Sequence, residues 1–83
     1  MNAQVQGDKV LVYVNAWRFD GGAGFDWYYN EADAKRAHAE EQANASAFSS
    51  ANWQAYFFGA FVSSYDTATD EIDADFDALC DAA

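Results

Sequence analysis

A long segment near the start of the chain has the alternating pattern of a β-strand with two apolar faces. Between Lys9 and Phe19, three valines and an alanine occupy successive even positions, while large apolar side chains occupy most of the odd positions. Side chains of a β-strand alternate between the two faces of a sheet. This segment is therefore predicted to be a strand that can pack other elements on both faces.

A β-hairpin is predicted directly after this strand. Residues 20–24 read Asp-Gly-Gly-Ala-Gly, a composition that tolerates the positive φ angles of tight turns. A short alternating run follows, with Phe25, Trp27 and Tyr29 on one parity and Asp26 and Tyr28 on the other. We interpret this run as the second strand.

The next segment is predicted to be a helix from Glu31 to Ala47, with Asn30 as its N-cap. It is rich in alanine, lysine, arginine, glutamate and glutamine, which favour helices. Glu31 and Lys35 stand at i,i+4 in the favoured order. The face expected to pack on the sheet consists of Ala34, Ala37, Ala45 and Phe48, with His38 at its edge. Because most of these side chains are small, the helix is expected to approach the sheet closely.

A third strand and a second helix complete the predicted fold. Trp53 to Tyr65 has aromatic residues on both parities, which indicates a strand covered on both sides. Thr69, or the pair Thr67 and Asp70, is the expected cap of a last helix. One apolar stripe of that helix consists of Ile72, Phe76, Leu79 and Cys80.

Residues 1–83 are thus predicted to form a single α+β domain of order β-β-α-β-α. Its sheet is three-stranded, mostly antiparallel and ordered 2-1-3, and it packs with two helices, of which the C-terminal one is strongly acidic.

Charge limits the possible partners of this domain. The 83 residues include 14 acidic and 4 basic ones, a net charge of -10 with a pI near 4.1. Nucleic acids and anionic membrane surfaces repel such a chain, so neither is expected to bind it. The longest apolar run, Tyr56 to Val62, is too short to span a membrane, and Met1 to Asp8 show no signal pattern. We therefore expect a cytoplasmic protein, with the single cysteine Cys80 as a free, at least half-buried thiol.

Residue patterns typical of catalysis or of cofactor binding are weak. The segment Gly21 to Asp26 matches the opening of a calcium-binding repeat that requires several copies. His38 and Glu41 lie three residues apart on a helix, but two more metal ligands are missing. The serines have no evident oriented base. We expect no enzyme activity, no metal and no cofactor.

Two sequence features indicate a protein-binding surface. Three Trp, five Tyr and seven Phe exceed what a thin sheet of this length can hide, and Trp27 and Tyr29 are the expected exposed anchors. Asp70, Asp73, Asp77 and Asp81 recur every three or four residues and would form one ridge on the last helix. The acidic segment also includes Asp66 and Glu71. A solvated acidic face, or an adaptation to a high-salt cytoplasm, would give a similar composition.

In size, charge, aromatic content and the acidic run from Asp66 to Asp81, the chain resembles small acidic inhibitors encoded by phages and mobile elements. These are the anti-CRISPR and anti-restriction proteins, some of which mimic DNA. The resemblance is at the level of the class and assigns no role to any individual residue. It implies a non-enzymatic inhibitor whose acidic surface occupies the basic groove of a nuclease or CRISPR effector. The alternative is a small structural or regulatory protein that homodimerises or docks on a host complex through exposed aromatics.

Overall fold

The computed structural model describes residues 5–83 as an antiparallel sheet with helices on both of its faces. Residues 1–4, the first half of the segment predicted to lack a signal pattern, lie outside the described residues. The elements in chain order are β1 (Val5–Gln6), β2 (Lys9–Phe19), β3 (Gly22–Tyr28), α1 (Glu31–Ala47), a 3-10 turn (Ser49–Ala51), β4 (Gln54–Val62), α2 (Ala68–Ala74) and α3 (Phe76–Ala82). Among the described residues, no helix combines the length and the apolar composition needed to cross a membrane.

The long two-faced strand β2 lies at the centre of the sheet. It pairs with β3 along one edge and with β4 along the other, both antiparallel, so that Tyr13 lies opposite Tyr28 on one side and Gly59 on the other. This arrangement confirms the predicted α+β fold and the strand order 2-1-3. The two-residue strand β1, which the sequence did not predict, pairs with the start of β2 on the β3 side. A strand this short carries no readable alternation.

The hydrophobic core lies between the sheet and the last two helices. β2 supplies Val12, Val14 and Ala16, all fully buried. β4 and the C-terminal helices complete this cluster with Ala60, Val62, Ala68, Ile72 and Cys80. Because these side chains come from residues far apart in the chain, burial of the core holds the acidic C-terminal segment against the sheet.

Helix α1 covers the opposite face of the sheet. Its predicted bounds and cap are confirmed, since the Asn30 side chain accepts a hydrogen bond from the Asp33 backbone N–H at 2.9 Å. Ala34 is fully buried, as close packing requires. Phe48, predicted to lie on the buried face, is instead 52% exposed, because it stands at the C-cap where the chain leaves the helix. The unpredicted buried residue is Glu41, whose carboxylate accepts from the Trp53 indole N–H at 2.7 Å.

The C-terminal helix is divided into two, where a continuous helix was predicted. Asp75 has φ -111° and ψ 17°, and its backbone N–H bonds to the Ile72 and Asp73 carbonyls. Aspartate has a low helix propensity, and like charges such as Asp73 and Asp77 at i,i+4 repel each other. Both effects favour an interruption here. The predicted apolar stripe persists across it, with Ile72 and Cys80 buried and the other two members half-buried.

Candidate protein-binding site

The two aromatic residues predicted as anchors contact each other beside the start of α2. Trp27 lies edge-on to Tyr29, with ring centroids 5.2 Å apart, and stacks on Tyr65 at 6.0 Å. Tyr29 is also edge-on to Tyr65 and is 67% exposed, as predicted for an anchor. Trp27, predicted to be exposed as well, is instead half-buried, because it packs against the hydrophobic core. Trp27 donates from its indole nitrogen to Thr69 Oγ1 at 3.1 Å, which fixes the ring against α2. We call Trp27, Tyr29 and Tyr65 the aromatic cluster.

Carboxylates without a cationic partner lie beside the aromatic cluster. Asp66 follows Tyr65, and Asp70 follows the Thr69 that holds Trp27. Asp73 lies one helical turn further on and lines a groove next to Trp27. All three aspartates are exposed, and among the described residues no Lys, Arg or His nitrogen lies within salt-bridge distance of them. We call Asp66, Asp70 and Asp73 the acidic patch.

The other two aspartates of the predicted ridge lie on α3 and are bound to Arg18. This arginine, near the end of β2, donates to Asp77 at 3.4 Å and to Asp81 at 2.8 Å. Its guanidinium also lies over the Tyr56 ring, 4.9 Å from the centroid, and donates to the Tyr56 hydroxyl. These contacts, with Asp81 first, raise the pKa of Arg18. The four ridge aspartates therefore occupy two helices, and within the described part of the chain Asp70 and Asp73 have no such partner.

Glu71, also predicted to bind a partner, is bonded within the domain. Its carboxylate accepts from the Thr67 hydroxyl and from the Ser63 backbone N–H at 2.9 Å. These hydrogen bonds lower the pKa of Glu71, with the Thr67 bond as the largest cause. Glu71 thus fastens the loop between β4 and α2. It contributes negative charge to the surface, but its oxygens already have donors.

A groove runs between the outer edge of β3 and the C-terminal helices. Its volume is about 450 Å³. The lining residues are Ala23, Gly24, Phe25, Asp26, Trp27, Thr69, Asp73 and Phe76. Phe25 and Phe76 stack across it with centroids 5.7 Å apart. The groove therefore combines aromatic walls with two acidic residues, and no basic residue lines it.

The glycine-rich segment and Glu41, which were weighed as parts of metal-binding motifs, have structural roles in the fold. Gly21 lies in the tight turn between β2 and β3, and Gly22 to Asp26 belong to β3. The Glu41 carboxylate accepts hydrogen bonds from the Trp53 indole N–H and the Asn44 side-chain amide. Within the described part of the chain, no three His, Cys, Asp or Glu side chains are grouped so that they could hold a metal.

Cys80 is a free thiol buried in the core. Burial raises its pKa, the reverse of what an activated nucleophile needs. Cys80 contributes to the packing of the hydrophobic core.

Sequence reasoning found the aromatic and acidic residues of this surface but missed Arg18, Tyr65 and the groove. Arg18 and Tyr65 make their contacts with residues more than thirty positions away, and the groove forms between β3 and the C-terminal helices, an arrangement that the order of elements alone does not describe. Comparisons with known protein families, with curated proteins and with solved structures find no match to this chain.

Proposed function

We propose that this domain is a non-enzymatic cytoplasmic inhibitor that docks its acidic patch and aromatic cluster into the basic nucleic-acid site of another protein. A nuclease or CRISPR effector of a defence complex, as the class resemblance implies, is the expected target. The observation that carries the proposal is that three carboxylates, unpaired among the described residues, lie on or just before α2 beside an aromatic cluster whose Tyr29 is exposed.

The charge distribution supports this interpretation. Lys35 and Arg36 pair with acids on α1, and Arg18 pairs with acids on α3, so three of the 4 basic residues are already engaged. A cationic groove that holds phosphates presents Lys and Arg side chains, which can equally donate charge-assisted hydrogen bonds to carboxylates. The basic groove of another protein would supply such partners for the acidic patch.

The aromatic cluster can supply the binding energy that a charged patch alone lacks. Exposed charges attract a partner over long range, yet each ion pair at a surface contributes little affinity. Large aromatic side chains at the centre of an interface contribute most of the binding energy. Tyr29, 67% exposed and held by two ring contacts, is suited to this role.

Affinity capture from a lysate of the native host, with duplex DNA as competitor, tests this function. The immobilised domain is expected to retain a basic nucleic-acid-binding protein that free duplex DNA releases. A variant with Asp66→Asn, Asp70→Asn and Asp73→Asn should retain far less of it. The control Glu31→Gln with Glu40→Gln, on α1, removes charge from the other face and should retain the same protein. Retention that neither DNA nor the triple variant reduces would contradict the proposal.

A second candidate function rests on the outer edge of β4. This nine-residue strand pairs only with β2 among the described residues, and it contains no charged residue and no proline. Natural edge strands usually carry charge or proline, which prevent pairing with another chain. Phe61 on this strand is 39% exposed. These features favour a homodimer formed by pairing the β4 strands of two copies.

Sedimentation equilibrium distinguishes this candidate from a monomeric inhibitor. A homodimer formed through β4 should become a monomer when Phe61→Lys places charge on the edge. A parent chain that stays monomeric up to about 0.1 mM would exclude a dimer of useful affinity.

A further inference from the structure

We propose that the groove beside β3 binds an extended, basic segment of the target protein as an added β-strand. This inference rests on the proposed function and specifies how the acidic surface engages its partner. The segment would run along the free edge of β3, with Lys or Arg side chains directed toward α2.

The backbone edge of β3 is the first observation. Among the described residues β3 pairs with β2 alone, so its other edge has unpaired backbone donors and acceptors. Five successive residues, 23–27, line the groove, so the cavity follows this edge along most of the strand. An extended peptide bound there would gain main-chain hydrogen bonds, and its side chains would alternate between the two sheet faces.

The charge of the groove selects the occupant. Asp73 lines the groove from α2, and Trp27 lies beside it with its indole fixed to Thr69. A Lys or Arg side chain of an added strand could thus meet a carboxylate and an aromatic ring together, and both interactions favour a cation. Asp26 lies on β3 itself, opposite Asn15 on the α1 face, and adds negative charge to the other side of the same edge.

A second copy of this chain is disfavoured as the occupant by the same charges. Its β3 edge would bring another Asp26 and another Asp73 to the groove, in a chain of net charge -10. The β4 edge lacks charged residues and has no comparable preference for a basic strand. The partner that fits the β3 groove is therefore a basic extended segment of a different protein.

The test uses a synthetic peptide of alternating Lys and Val that matches the seven residues of β3. Its affinity for the full chain is measured by isothermal titration calorimetry, and the site is located from amide chemical-shift changes. We expect the largest shift changes at residues 23–27 and 69–76. An otherwise identical peptide with Glu in place of Lys should not bind.

Backbone pairing is tested with two N-methylated forms of the same peptide. One carries methyl groups on the odd residues and the other on the even residues, so that each blocks the donors of one strand edge. Strand addition predicts that one form binds about as well as the parent peptide and that the other loses at least about tenfold in affinity. Equal binding of both forms would show that charge alone holds the peptide and would overturn the inference.

Single substitutions test the role of charge. Asp73→Asn should weaken peptide binding by about threefold to tenfold and Asp26→Asn by less, whereas the matched control Glu40→Gln on α1 should change it by less than about twofold. Equal losses from Asp73→Asn and Glu40→Gln would also overturn the proposal.

These results separate the groove from the proposed function. If DNA releases a captured partner but the two N-methylated peptides bind equally, the inhibitor function is supported and binding by strand addition is contradicted. Selective peptide binding without any partner that DNA releases leaves the strand site standing and removes the inhibitor function.

Discussion

Arg18 of β2 donates to Asp81 of α3 at 2.8 Å, across 63 positions of sequence. The same guanidinium reaches Asp77 and the Tyr56 hydroxyl, so a single side chain ties the terminal helix to two strands. It also counters the like-charge repulsion between two aspartates that stand at i,i+4. The acidic C-terminal segment thus consists of an α3 part whose two aspartates share one arginine and an α2 part in which Asp70 and Asp73 have no cationic partner among the described residues.

The first prediction concerns this arginine. Arg18→Gln should loosen α3, because Asp77 and Asp81 then lose their counter-charge while the helix keeps its core residue Cys80. We expect a lower melting temperature and faster amide hydrogen exchange in α3 than in α1. Lys35→Gln removes a more exposed base from α1 and serves as the control with little effect. Exchange in α3 that is identical for Arg18→Gln and the parent would contradict this role.

The second prediction concerns the pH dependence of stability through Glu71. Its hydrogen bonds to Thr67 and Ser63 lower its pKa below the ordinary value of 4.5, so the ionised form stabilises the folded state. That contribution is fully present above about pH 4.5 and is lost as the pH falls through the lowered pKa. The stability difference between the parent and Glu71→Gln in urea should therefore shrink from pH 7 toward pH 3. A difference that stays constant with pH would contradict this assignment.

The third prediction concerns the core. Ile72 is the largest fully buried side chain, so Ile72→Val should lower the free energy of unfolding by about 0.5–1.5 kcal/mol. Phe61→Leu, on the partly exposed edge strand, should change it by less than about 0.5 kcal/mol. Urea unfolding with an unchanged slope measures both variants. A larger effect at Phe61 than at Ile72 would show that the core lies elsewhere.

The fourth prediction concerns direct binding of nucleic acid. Because three of the 4 bases are held in ion pairs, the purified domain should not shift duplex DNA or RNA at about 100 mM salt. Addition of EDTA should leave the melting temperature unchanged, since the described residues form no metal-binding group. A mobility shift without added metal would contradict the first expectation, and a lower melting temperature in EDTA the second.

Local signals explain which parts of the fold could be predicted from the sequence. The bounds of β2 and α1 follow from side-chain alternation and from the Asn30 cap, which involve neighbouring residues. The break at Asp75 was missed, because the apolar stripe of the C-terminal helices continues through it. Arg18 was missed for a different reason, since its aspartate partners lie 59 and 63 positions away.

For the candidate site, the sequence predicted which residues take part but not which of them are bonded within the domain. Aromatic and acidic composition identified Trp27, Tyr29 and the acidic segment, but composition does not distinguish an unpaired carboxylate from a bonded one. Glu71 and Asp70 are adjacent in sequence, yet the first is bonded to Ser63 and Thr67 and the second is exposed. Only the fold separates these two environments.

A competition measurement on the captured partner tests whether the acidic patch occupies the nucleic-acid site. A fluorescent duplex DNA is first bound to that partner, and its anisotropy is followed as the domain is added. We expect the parent to displace the DNA. The Asp66→Asn, Asp70→Asn, Asp73→Asn variant should need at least about tenfold more protein for the same displacement, with the difference largest at low salt. A stable complex of domain, partner and DNA, with unchanged anisotropy, would contradict the claim that the acidic patch occupies the nucleic-acid site.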